Sequence, residues 1–99
     1  MMLSNQIKNK FRSAEASYIE FESDLRRNKR IIKDKKYNLE LAKIITNYHS
    51  AWFAVCRSYY TKKPATPELE KHISKLIDKF LEIEGILKHL MFLARLTEC

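Results

Sequence analysis

Apolar side chains recur at alternating steps of four and three along most of this chain, and that spacing commits it to helices. The first stripe is Ile7, Phe11, Ala14, Tyr18, Phe21 and Leu25. The second is Leu41, Ile45, Tyr48, Trp52, Val55 and Tyr59. The third is Leu69, Ile73, Leu76, Phe80, Ile83, Leu87, Leu90 and Ala94. Glycine occurs once and proline twice in 99 residues. Sheets joined by tight turns need those residues at fixed places, so an all-β reading fails. The same scarcity removes glycine-rich phosphate loops.

The joints between the stripes differ. KKPATPE, residues 62–68, is a clear break. Thr66 can cap a helix, Pro67 suits the first helical position, and Glu68 and Glu70 favour the positive helix start. Ser4 is the matching cap for the first helix. The joint between the first two stripes has no glycine or proline. Extending the first stripe by heptads gives Asn28, Ile32, Lys35 and Leu39, and the second stripe sits one residue earlier in that frame. One residue of slip turns the apolar face by about 100°. A straight helix from 4 to 62 would also be roughly 88 Å long. A bend or turn within 28–38 is therefore expected, with Asp34 or Asn38 as caps. The fold expected is all-α: a single domain over 1–99, an up-down-up three-helix bundle of long helices covering roughly 4–30, 36–62 and 67–97. The alternative is a long bent helical hairpin with its tip at residues 62–67.

Two regions carry more apolar surface than a seam needs. His49, Phe53, Cys56 and Tyr60 form an extra stripe on the second helix. Either this helix is the middle one and touches both neighbours, or the stripe is an aromatic partner surface. The end of the third helix, ILKHLMFLARL, is apolar on nearly all sides. Met91, Phe92 and Leu93 are thus either buried between the other helices or a docking surface for a partner or a second copy.

No catalytic constellation stands out. Cys56 and His49 share a helix face but stand two turns, about 10 Å, apart. Glu82 and Glu84 are two apart and point to different faces. The histidines and cysteines form none of the spacings that hold metals in helical proteins. The expectation is no enzyme, no metal and no cofactor. The longest uncharged run, residues 44–56, is too short to span a bilayer. The start MMLSNQIKNK has no apolar core of a signal peptide. Cys56 and Cys99 do not make a disulfide framework. A soluble cytoplasmic protein with free thiols is expected.

Charge is the other strong feature. RRNKRIIKDKK, residues 26–36, holds +6 of the chain's +7. Arg26, Arg27, Lys29, Arg30, Lys33, Lys35 and Lys36 form a grip for something anionic, or a solvated end. As a phosphate grip they would give sequence-independent, salt-sensitive binding. A basic run leading into a 4-3 repeat is similar to a basic-region leucine zipper, but the base-reading Asn-and-Ala pattern is missing and the repeat is aromatic. Mimicry of DNA is excluded by sign, since a mimic displays carboxylates. A basic binder instead meets an acidic patch.

In length, in its helix-KKPATP-helix layout and in its basic charge, the chain resembles the anti-RecBCD proteins of temperate phages. That resemblance implies a helical protein that binds and modulates a host nuclease complex through a proline-bearing tip. The tip here would be Tyr60, Lys62, Lys63, Pro64 and Pro67. The function expected is a non-enzymatic basic interaction protein, a bacterial or phage accessory factor that binds a larger host protein. The competing expectation is a non-specific nucleic-acid binder that uses residues 26–36.

Overall fold

A computed structural model of the chain describes residues 3–28 and 38–98. They form three helices: α1 (Asn5–Arg27), α2 (Asn38–Tyr59) and α3 (Pro67–Glu98). The molecule is an all-α three-helix bundle, 52 × 20 × 17 Å. Its long dimension is set by α3, whose 32 residues run about 48 Å at 1.5 Å per residue. The bundle runs up-down-up. Ser4 and Lys10 of α1 meet Glu70 and Ser74 of α3, so these two helices are parallel. Phe11 meets Tyr59 and Phe21 meets Tyr48, so α2 is antiparallel to them.

Local chemistry sets the ends. The Ser4 hydroxyl accepts from the Ile7 N–H at 3.4 Å, and the Ser4 N–H donates to Glu70 Oε1 at 2.6 Å. One residue thus caps α1 and ties it to the start of α3. α1 stops three residues short of the expected 30. Asn28 closes it: its backbone N–H donates to the carbonyls of Asp24 and Leu25, and its side-chain amide donates to Asp24 O at 2.6 Å. Those bonds satisfy carbonyls that would otherwise call for another turn. α2 stops at Tyr59 rather than 62, because Pro64 drives Lys63 out of helical angles. Thr66 Oγ1 then accepts from the Leu69 N–H at 3.1 Å, and Pro67 opens α3 as its position suggests. Of the caps expected at the first joint, Asn38 is the first residue of α2, and Asp34 lies outside the described residues.

The stripes of α1 and α2 face the core as their spacing requires. Leu39, the heptad extension of the first stripe, is exposed while Leu41 is buried, which confirms the one-residue slip of frame. In α3 the buried seam is Ile73, Ile77, Phe80, Glu84, Leu87, Met91 and Ala94. It also alternates four and three, but it is rotated from the expected stripe. Leu76, Ile83 and Leu90 are only half-buried, on the flank facing outward along α2.

The three helix pairs pack differently. Among the described residues, α2 and α3 bring their backbones closest together. α1 reaches α2 mainly through rings. Phe11 stacks on Tyr59 with centroids 3.7 Å apart and lies 5.4 Å from Trp52, and Tyr18 stacks on Trp52 at 5.0 Å. Phe80 of α3 joins from below, 5.0 Å from Trp52 and 5.1 Å from Tyr48. Such pairs add about 0.5–1.5 kcal/mol each beyond area burial.

Two outcomes follow from this packing. Trp52→Ala opens the space between Phe11, Tyr18 and Phe80, and should lower stability by about 3–5 kcal/mol in urea unfolding. Gly85 lies inside α3, and an added Cβ would meet nothing within 4 Å. Gly85→Ala should therefore raise stability by about 0.5–1 kcal/mol in the same measurement.

Candidate functional site

The most unusual chemical group is Glu84, a buried carboxylate in the seam of α3. One hydroxyl from each other helix reaches it. Tyr48 Oη of α2 donates to Oε2 at 2.6 Å, and Ser17 Oγ of α1 donates to Oε1. Lys88, one turn along α3, lies 3.4 Å from Oε1 and at the same time sits over the Phe21 ring. Burial, then the hydrogen bond to Glu84 and its negative charge, push the Tyr48 phenol well above the usual tyrosine range. Tyr48 is therefore a proton-holding donor and not a base. The arrangement satisfies a buried charge, and among the described residues no buried side-chain nitrogen or oxygen lacks a partner. The sequence reading passed over Glu84 because it followed the apolar positions 76, 83 and 90. The available signal was Ile77, Glu84 and Met91 at heptad spacing, facing a seam tyrosine that needs a hydroxyl partner.

His49 and Cys56 are not joined in any reactive pair. His49 Nε2 meets Glu22 Oε2 of α1 at 2.7 Å. The half-buried Cys56 thiol is pushed up in pKa by burial and by nearby Glu15, which disfavours the nucleophilic thiolate. Among the described residues there is no group of three or more metal-ligating side chains. No helix there is long and apolar enough to cross a membrane.

The surface residues singled out from sequence fall at two opposite poles. At one pole, the turn after α2 exposes Tyr60, Lys62, Lys63, Pro64 and Pro67. Ala65 is buried beneath the turn, and Thr66 caps α3. Tyr60 is further fixed edge-on against Phe11 and Tyr59. At the other pole, Phe92 and Leu93 are exposed, but Met91 is 2% exposed. Met91 is core and not docking surface, because it occupies the buried seam one heptad after Glu84. Arg26 and Arg27 are exposed there, and each pairs within its own helix, Arg26 with Glu22 at 3.7 Å and Arg27 with Asp24. Lys29, Arg30, Lys33, Lys35 and Lys36 lie outside the described residues.

The extra stripe on α2 divides. His49 and Cys56 are half-buried, but Phe53 and Tyr60 stay exposed at 69% and 66%. The register of Tyr18 with Trp52 and Glu22 with His49 places Ile19, itself 63% exposed, along the same α1/α2 edge.

Tyr48→Phe tests the buried network. It leaves Glu84 Oε2 without its donor while Ser17 still serves Oε1, so stability at neutral pH should fall by about 1–3 kcal/mol. The pH profile gives a second readout. The folded chain holds the Tyr48 proton after the unfolded chain has released it near the ordinary value of 10. The stabilisation is complete below that pH and declines above it, by up to about 1.4 kcal/mol per pH unit. Urea unfolding between pH 8 and 11 should show the wild type losing stability more steeply than Tyr48→Phe. No family model, curated protein or solved structure matches this chain.

Proposed function

We propose that this chain is a non-enzymatic interaction protein that docks on a larger protein partner and modulates it. The observation that carries this reading is the apolar edge formed by Ile19, Phe53 and Tyr60, all more than 60% exposed beside a core already filled by larger rings. Exposed aromatics of this kind are the residues on which interface affinity concentrates. Tyr60 leads directly into the turn Lys62–Lys63–Pro64. Prolines pre-order that turn and lower the entropy lost when it is bound. The net charge of +7 favours an acidic partner surface and speeds encounter with it. A bacterial or phage accessory factor acting on a larger host protein, such as a nuclease complex, is the role that the layout resemblance implies.

Direct nucleic-acid binding is supported less well. The two described arginines of the basic stretch are engaged with Glu22 and Asp24, and a phosphate would have to displace those carboxylates. The tagged chain should retain a stoichiometric protein from bacterial lysate after nuclease treatment, and the Phe53→Glu/Tyr60→Glu variant should lose it while keeping its helix content. Binding should fall only gently with salt. Displacing counterions from about six phosphates would instead give a slope of about −5 in log K against log salt. Bound material that disappears with nuclease, together with that steep slope, would assign the chain to nucleic acid.

A further inference from the structure

The close pairing of α2 and α3 leaves a groove on their outer side, away from α1. Two depressions form it and share Ala54 and Leu76, so they are continuous. The floor is apolar: Ala51, Ala54, Leu69, Leu76 and Ile83. From Asn47 to Ser58 the α2 wall runs about 17 Å, three helical turns, and Thr61 and Lys63 of the turn extend it. The rim is basic. Lys79 stands on α3, Arg57 on α2 and Lys63 in the turn, all exposed. No carboxylate lines either depression.

Among the described residues, the groove cations meet no counter-charge from this chain. Lys10, Arg26, Arg27 and Lys88 each have a carboxylate of this chain within 4 Å. Among the described residues, Arg57, Lys63 and Lys79 have none, a state they share with Lys8, Arg12, Lys62, Lys71 and Lys75; what distinguishes them is their place on the rim of an apolar floor. Lys43 is in the same position, at a third depression that meets the groove at Asn47. Four uncompensated cations therefore surround an apolar trough.

We infer that the α2/α3 groove receives an acidic amphipathic helix of the protein partner. The inference rests on the reading of the chain as an interaction protein, but it concerns a face separate from Ile19, Phe53 and Tyr60. A fourth helix would lay apolar residues at i, i+3, i+4 and i+7 onto Ala51, Ala54, Leu76 and Ile83. Carboxylates on its two flanks would meet Lys43, Arg57, Lys63 and Lys79. A nucleic-acid backbone would make no use of the apolar floor. A second copy of this chain would bring another +7 to a rim that is already cationic.

The test is an NMR titration of the ¹⁵N-labelled full chain. The probe is an 18-residue helical peptide with leucines at that spacing and glutamates on both flanks. Its control carries lysine in place of every glutamate. The acidic peptide should shift the amides of Ala51, Ala54, Leu76 and Lys79, and the basic peptide should not. Arg57→Glu/Lys79→Glu, both exposed, should weaken binding at least tenfold, as should Ala54→Leu, which fills the floor. Phe53→Glu/Tyr60→Glu should leave peptide affinity unchanged. The groove assignment is overturned if the shifts map to Ile19, Phe53 and Tyr60, or if the charge reversal changes affinity less than twofold. It is also overturned if a 20-base-pair DNA duplex shifts the same amides with equal affinity. Loss of the lysate partner with intact peptide binding would overturn the proposed function and not the groove. An intact lysate partner with no peptide binding would overturn the groove alone.

Discussion

A carboxylate in the middle of a core must be answered by donors, and here the donors come from two other helices. Glu84 accepts from Ser17 of α1 and Tyr48 of α2. Apolar contacts are tolerant: a helix that slides or turns exchanges one leucine contact for another. Glu84 has no such tolerance. Moving either neighbour by one residue swings its hydroxyl about 100° away and leaves a buried charge short of a donor. The apolar seam supplies the bulk of the stabilisation, and this one group narrows the ways in which the seams can meet. Use of a buried polar group to fix register is the best-attested role for such groups.

Side-chain size then determines what the surface looks like. Where α1 meets α2, Phe11, Tyr18, Trp52 and Tyr59 stack between the backbones. Where α2 meets α3, the outer wall is made of Ala51, Ala54 and Ser58, and the helices come close. Rings on one side hold the helices apart, and aromatics spill onto the outer edge as Phe53 and Tyr60. Small residues on the other side leave a trough. The two faces proposed for docking are thus outward extensions of the two ways the core is packed.

The helices were legible in the sequence because the 4-3 spacing is long and uninterrupted, and because Ser4, Thr66 and Pro67 mark the starts without ambiguity. Asn28 was less visible: an asparagine that caps a helix end looks the same as one on a helix surface. The α3 seam was read correctly at Ile73, Phe80, Leu87 and Ala94 and one residue off at alternate positions, where Ile77, Glu84 and Met91 are buried and Leu76, Ile83 and Leu90 are half-buried. Two seams with identical spacing run along that helix, one wholly apolar and one containing Glu84, and hydrophobicity alone favours the first. Only the partner hydroxyls on other helices make the second one better, and their positions are tertiary information. Met91 was misplaced for the same reason. The α2/α3 groove was hidden because its walls come from residues 47–61 and 69–83, and only the antiparallel turn at 60–66 puts them side by side.

The chain has a single tryptophan, and it sits between Phe11 and Tyr18 of α1 and Phe80 of α3. Its indole is therefore an optical reporter of one event, the seating of α1 on the other two helices. Tyr18, Tyr48, Tyr59 and Tyr60 lie in this ring cluster or touch it, and of these Tyr18 alone rides on α1, so its energy transfer to the indole depends on α1 being in place. A change in emission colour would signal separation of α1 with no label attached, whatever the partner does to the rest of the molecule.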